Sequence, residues 1–180
     1  MEQPLIHKKI IESIYINEGD MKRKIELHDV PKIESVQDMI FRSCEVYENK
    51  LALEDLQEYP IKKVTYSQLK ENIIKFGKAL KKLDLPERTH IALIGENRVQ
   101  WSISYLTLMS FNYVIVPIDK NLTESEILNI VYESDAEAVI FSDTFSSLFK
   151  EDKSVIKRVK FFINMDNSPG NGNFLRWNFK

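Results

Sequence analysis

The chain has 180 residues, enough for one domain with a sizeable core. It is 43% hydrophobic and 29% charged with a net charge of −2, an ordinary globular composition with no overall drive toward nucleic acid or an anionic membrane. Its one cysteine, Cys44, excludes an internal disulfide and fits a reducing, cytoplasmic compartment.

No apolar run approaches the roughly 20 residues that span a bilayer. Met1-Glu2-Gln3-Pro4 does not open a basic-then-apolar leader, so no secretory signal is expected. Five glycines are few for this length, and phosphate-cradling loops consume glycines.

Leu5, Ile6, Ile10, Ile11, Ile14 and Tyr15 make roughly a helical stripe, with Lys8, Lys9, Glu12 and Ser13 on the other face. The spacing predicts a helix over residues 5–16, ended by Gly19-Asp20. Residues 20–35 are charged, contain Pro31 and read as an extended lead-in. Residues 1–34 therefore form an N-terminal region apart from the rest of the chain.

Ser35-x-x-Asp38 opens the next helix, carried by Val36, Ile40, Cys44 and Tyr47. Leu51–Leu56 and Ile61–Thr65 read as a short hairpin across Gln57-Glu58-Tyr59-Pro60. Thr65-x-x-Gln68 is a capping box, and Leu69, Ile73, Phe76, Leu80 and Leu83 follow at helical spacing. Pro86 closes that region. Then strands over 90–94, 113–117, 138–142 and 159–164 alternate with helices over 98–111, 123–133 and 144–150. Asn97 with Gln100 and Thr123 with Glu126 provide two further capping boxes.

Ile91–Ile94, Val114–Val116, Ala138–Phe141 and Phe161–Ile163 are apolar on both faces. Such runs, alternating with helices, indicate an α/β fold: a mostly parallel sheet with helices on both faces, plus the short hairpin. Residues 35–165 form this α/β unit and 166–180 a loop and tail. The tail ends on Phe174, Leu175, Trp177 and Phe179, side chains expected to pack on sequence not present here.

Few residues suggest chemistry. The junction Gly95-Glu96-Asn97-Arg98 is either a ligand site beyond a strand's carboxyl end or a tight turn in which Asn97 caps and Trp101 packs. The local reading is favoured, with Glu96 near a helix N-terminus and Arg98 solvated. Asp119, after Pro117, carries the same two readings. Gly170-x-Gly172 lacks the third glycine or the Lys-Ser/Thr of a nucleotide loop. His7, His28 and His90 show no metal-ligand spacing with one another or with Cys44, and no G-x-S-x-G occurs. Cys44 lies on an apolar stripe and reads as core. Lys150, Lys153, Lys157, Arg158 and Lys160 are interrupted by Glu151 and Asp152 and read as a solvated face.

Several blocks stand in a telling order: Thr65-Tyr66-x-x-Leu69, Ile91–Ile94 leading into Gly95-Glu96-Asn97-Arg98-x-x-Trp101, Val114–Asp119, and Ile130-Val131-Tyr132-x-x-Asp135-Ala136. Together, over residues 36 to about 165, they resemble the N-terminal region of acyl-adenylate-forming (AMP-binding) enzymes, most like the long-chain fatty-acid–CoA ligases. Gln68 stands where that family usually has Glu, and Gly95 where it has Ser. Asn112-Tyr113 replaces a usual Gly-Ala, and Pro86-Glu87-Arg88 stands in place of Gly-Asp.

The resemblance implies part of a large adenylating domain. The full-length enzyme would join a fatty acid to ATP as an acyl-adenylate, release pyrophosphate, and pass the acyl group to coenzyme A. It would need ATP, Mg²⁺ and coenzyme A; none is assigned to this segment. No position matches the family's adenylation loop or its catalytic lysine, so no catalytic, cofactor-binding or metal residue is carried over, and the segment alone is expected to be inactive. The remainder of the same polypeptide is the expected partner, with no nucleic acid. Peripheral membrane contact belongs to the full-length protein, and self-association is expected through Phe174, Trp177 and Phe179. The alternatives are an acyl–acyl-carrier-protein or aryl–CoA ligase segment, or a non-catalytic α/β binding module.

Overall fold

Apolar residues on successive positions of four short runs demand a sheet covered on both sides, and the computed structural model contains one. It describes residues 10–18, 21–28, 31–56, 60–150, 156–166 and 175–176. The chain divides into two units, Met1–Glu34 and Ser35–Lys180.

The first unit corrects the helix expected over 5–16. Ile10–Glu18 is a strand, β1, paired antiparallel with Met21–His28, β2. Ile14 opposes Ile25 and Ile16 opposes Arg23, with an irregularity between Ile10 and Glu12. The stripe that suggests a helix is built largely from isoleucine and tyrosine, which favour the extended backbone. Only Gly19 and Asp20 separate the two strands, the shortest hairpin spacing. Residues 5–9 lie outside the described residues.

In the second unit, α1 (Val36–Val46) starts at Ser35, whose hydroxyl accepts from the Asp38 amide at 3.0 Å. β3 (Leu51–Asp55) and β4 (Lys62–Thr65) pair antiparallel. Thr65 then caps α2 (Tyr66–Lys81) in a complete capping box with Gln68. The doubly wound part follows: β5 (His90–Ile94), α3 (Val99–Ser110), β6 (Val114–Pro117), α4 (Glu124–Glu133), β7 (Ala138–Phe141), α5 (Ser146–Lys150) and β8 (Phe161–Asn164). Thr123 and Glu126 form the capping box of α4. Leu175–Arg176, in the segment expected to be loop, pairs parallel with Ile163–Asn164 as β9.

The sheet order is β6-β5-β7-β8-β9, and every pairing in it is parallel. Alternation along each strand feeds two cores. Ala92, Ile94, Val139, Phe141 and Phe162 meet Ile127 and Val131 of α4 and Leu148 and Phe149 of α5. Ile91, Leu93, Ala138, Ile140 and Ile163 meet Phe76 and Leu80 of α2 and Leu108 of α3. A third core joins Ile40 and Cys44 of α1 to Val64, Leu69, Ile73, Val99 and Ile103. Burial of Cys44 raises its thiol pKa against the lowering by Lys70, consistent with a core side chain.

Gly77 is needed for packing. A Cβ there would stand 2.1 Å from a ring carbon of Phe111, which turns the chain after α3.

Candidate functional site

Successive connections from β5 run to opposite sides, to β6 on one and past β5 to β7 on the other. Such a reversal opens a crevice beyond the carboxyl ends of the strands, where open α/β sheets bind ligands. Here the carboxyl ends of β5, β6, β7 and β8 carry two different arrangements.

The first lies beyond β5 and β6. A crevice of about 300 Å³ is lined by Gly95, Asn97, Trp101, Pro117, Asp119 and Lys120, among others. Trp101 stacks on Tyr105, ring centres 5.3 Å apart and planes at 15°, so the indole is held flat on α3. The Asp119 carboxylate accepts from the amide and side chain of Asn121 at 2.9 and 3.0 Å and fixes the turn after β6. Four residues singled out in the sequence thus meet here: Gly95, Asn97, Trp101 and Asp119.

Asn97 does not cap α3. The N-cap is Arg98, with no side-chain cap bond. The first amide of the helix, Val99 N, donates instead to Asp55 Oδ2 at 3.4 Å. Asp55 is the buried last residue of β3, and nothing in its local sequence signals this role.

The second arrangement fills the switch point. Arg98 is not solvated: its Nη1 and Nη2 donate to both carboxylate oxygens of Asp166 at 2.7 Å each. The Asp143 amide donates to the same carboxylate at 2.7 Å. The Asp166 amide donates to Asn164 Oδ1 at 2.7 Å, and the Asn164 side chain donates to Asp143. Across the opening, Thr144 donates to Glu96 Oε1 at 2.8 Å.

Burial works to raise the Asp166 pKa, but bonds from Arg98 and the Asp143 amide, with the charge of Arg98, outweigh it and hold the carboxyl below its ordinary value. Glu96 follows the same logic: burial raises, while Thr144, its own amide, Ser142 and Arg98 lower, and the net direction is down. The sequence alone points to Glu96 and Arg98 but not to Asp143 or Asp166, which stand 45 or more residues along the chain from Arg98 and become neighbours only through the parallel pairing.

The remaining candidates disperse. His90 begins β5, at the opposite end of the sheet, and its Nδ1 lies 2.6 Å from the Ser134 carbonyl oxygen. Arg158 pairs with Asp135 and Lys160 with Glu137, so the basic cluster is partly neutralised. His7, Lys153, Gly170 and Gly172 lie outside the described residues, as do Phe174, Trp177 and Phe179. A cavity of about 440 Å³ near Tyr132, Asp135 and Arg158 is larger. It sits at the amino ends of β7 and β8, where this architecture does not place ligands.

A phosphate-cradling loop does not fit the turn at Gly95. Phosphates need a run of free amides and a lysine. The close approach at Gly95 is filled by this chain's own Met165, whose Cε would lie 2.6 Å from a Cβ. Among the described residues, no cluster of three or more His, Cys, Asp or Glu is placed to hold a metal ion. Nor is any described helix long and apolar enough to cross a membrane.

The AMP-binding enzyme family matches residues 40–173. Chloroplastic long-chain-fatty-acid–[acyl-carrier-protein] ligase AEE15 of Arabidopsis thaliana is 30% identical over 106 residues, 59% of this chain and 15% of that protein. The crystal structure of the anthranilate CoA ligase AuaEII with anthranoyl-AMP shares the fold at a TM-score of 0.73 and 21% identity, covering 83% of this chain and 28% of its own. The inhibitor-bound N-terminal domain of FACL13 from Mycobacterium tuberculosis shares it at 0.66 and 18% identity, covering 74% of this chain and 34% of its own. The chain thus spans a minor part of the length of each.

Proposed function

The chain belongs to the AMP-binding enzyme family, and on that premise we propose that it is the N-terminal part of an ATP-dependent acid–thiol ligase of the long-chain fatty-acid–CoA type. The observation that carries the reading is the family match over residues 40–173, on a sheet whose strand order and parallel pairings suit that role. In the full-length cytoplasmic enzyme, a fatty-acid carboxylate would attack the α-phosphate of ATP, forming an acyl-adenylate and expelling pyrophosphate. Coenzyme A thiolate would then displace AMP. ATP, Mg²⁺ and coenzyme A are cofactors and substrates of that whole protein.

This segment contributes scaffold. Residues 35–165 form its α/β subdomain and residues 1–34 a separate leading region. The remainder of the polypeptide supplies the phosphate-binding loop and the catalytic lysine, so the segment alone turns nothing over.

The test is ATP–pyrophosphate exchange. The full-length protein should exchange label in the presence of a long-chain fatty acid, and the 180-residue chain should stay at background. Turnover by the short chain would overturn the reading. The likeness to an acyl-carrier-protein ligase gives the second reading weight at one point, the acceptor thiol. Offering coenzyme A and acyl-carrier protein in parallel after adenylation decides between them.

A further inference from the structure

We propose that the open edge of β6 and the outer face of α3 form the two-fold interface of a dimer, so that a second copy of this chain covers them. This goes beyond the ligase reading and does not rest on it. α3 carries no charged residue from Val99 to Ser110, whereas every other described helix carries at least one. A helix with no charged side is ordinarily covered on all sides. Here one side is not: Trp101 and Tyr105 are half-buried and Met109 is 36% exposed, and their spacing of four puts them on one stripe.

The neighbouring strand is bare in the same way. β6 stands at one end of the sheet order, and among the described residues no strand pairs with its outer edge. Ile91–Ile94 of β5 are fully buried, yet Val114, Ile115 and Val116 are only half-buried. Ile115, Trp101 and Tyr105 rim the same core, so strand edge and helix stripe make one surface. Edge strands are ordinarily guarded by charge, by bulges or by proline. β9, at the opposite edge, ends on Arg176. Val114–Val116 has neither charge nor bulge, and its one guard is Pro117 at the carboxyl end.

Two features select a copy of this chain over a foreign strand. The amides of Val114 and Ile118 donate inward to the carbonyls of Thr89 and Leu93, at 3.0 Å each. Alternation along the strand turns Ile115 and Pro117 outward, and proline has no N–H. The open edge of β6 therefore offers a single amide, that of Ile115, beside the Ile115 carbonyl. A longer strand gains no second donor from β6. A copy related by a two-fold axis exchanges both bonds of Ile115 with its mate in antiparallel pairing. The second feature is the absence of charge. An uncharged face meets itself without repulsion and holds no ion to specify a different partner.

Sedimentation equilibrium on the 180-residue chain should give a dimer, and hydrogen exchange at the Ile115 amide should slow as concentration rises. Met109→Lys sets like charges on the two meeting faces and should weaken dimerisation at least ~10-fold. Ile115→Pro removes the one outward amide, leaves the inward bonds of Val114 and Ile118, and should weaken the dimer by a different route. Met39→Lys, at an exposed position on α1, is the control and should leave the dimer intact; thermal unfolding of all three variants checks that the fold is kept. A monomer at every concentration would overturn the proposal. So would a dimer indifferent to both Met109→Lys and Ile115→Pro, which would move the contact to another surface. A full-length protein that stays monomeric with its Ile115 amide protected would show the edge covered by its own polypeptide, and the proposal would fall while the ligase reading stood.

Discussion

The amide of Arg88 donates to the carbonyl of Asn112 at 2.8 Å, and both residues hold left-handed backbone, with φ of 63° and 61°. Asn112 stands where the family resemblance leads one to expect glycine, and Arg88 ends the Pro86-Glu87-Arg88 segment that replaces a usual Gly-Asp. The two turns before β5 and β6 thus pack together in a conformation that costs an L-residue about 1–2 kcal/mol. Asparagine tolerates it, and Asn112 adds a side-chain bond to Glu87 at 3.0 Å. Arginine has no such local compensation. Arg88→Gly should raise the unfolding free energy by about 0.5–1 kcal/mol, Asn112→Gly should be near neutral, and Asn112→Ala should cost about 1 kcal/mol. Urea midpoints at constant m-value check the ranking; Arg88→Gly no more stable than the parent would refute it.

Gly77 sits in α2 against Phe111, with three ring carbons 2.1, 2.2 and 2.4 Å from where a Cβ would stand. Alanine gains helix propensity, about 1 kcal/mol, but the ring is partly buried against the second core and cannot simply swing away. Gly77→Ala should therefore be net destabilising by about 1–2 kcal/mol. Phe111→Leu in the same chain should return part of that loss. Gly95→Ala crowds the flexible tip of Met165 at 2.6 Å and meets Ser142 at an ordinary 3.4 Å, and should cost less, about 1 kcal/mol. Equal losses at the two glycines in chemical denaturation would show that the rigidity of the neighbour does not matter.

Apolar period and capping chemistry suffice at α2 and α4, whereas the same spacing at Asn97 and Gln100 gives a helix without the expected cap. Thr65 with Gln68 and Thr123 with Glu126 open helices as their spacing requires, and four apolar runs become four parallel strands. At residues 10–16 the same kind of pattern is ambiguous, because a short isoleucine-rich run satisfies both periods. The two-residue Gly19-Asp20 link, which breaks a helix, is equally a hairpin signal, and the hairpin is what forms. The site is half legible. Gly95, Asn97, Trp101 and Asp119 can be found because they flank strand ends. Arg98 reads as solvated because its partner, Asp166, is brought near only by sheet order. Asp55 carries no local signal, since its partner amide is 44 residues away.

That remote contact gives a third expectation. The side chain of Arg98, at the N-cap of α3, makes no cap bond, so Asp55 serves a helix start it does not belong to. Asp55→Ala should cost about 1–2 kcal/mol. It should also speed hydrogen exchange at the Val99 amide, while the amides that open α2 and α4 are unchanged. Asp55→Asn keeps a carbonyl acceptor and should recover part of the loss. Uniform acceleration across all three helices would instead point to global destabilisation.

The Arg98–Asp166 pair makes a prediction about pH whose sign can be reversed. In the folded chain the Asp166 carboxyl titrates below its ordinary 3.8. The unfolded state therefore binds the proton first as the solution is acidified, and the stability contributed by Asp166 is lost as pH falls from that ordinary value through the folded one. The difference in unfolding free energy between the parent and Asp166→Asn should be flat from neutral pH to about 5 and close below about 4. Removing the guanidinium changes the balance, because burial, the largest single influence on Asp166, acts to raise its pKa. In an Arg98→Gln background the carboxylate is left partly buried with the Asp143 amide as its remaining charge-stabilising donor. Asp166 should then be a liability at neutral pH, so that adding Asp166→Asn to Arg98→Gln stabilises the chain, and mild acid should narrow that gain. Parallel pH titrations of the four proteins, read as unfolding free energies, check both halves. An Asp166→Asn effect of the same sign with and without Arg98 would show that the arginine does not govern the ionisation of Asp166.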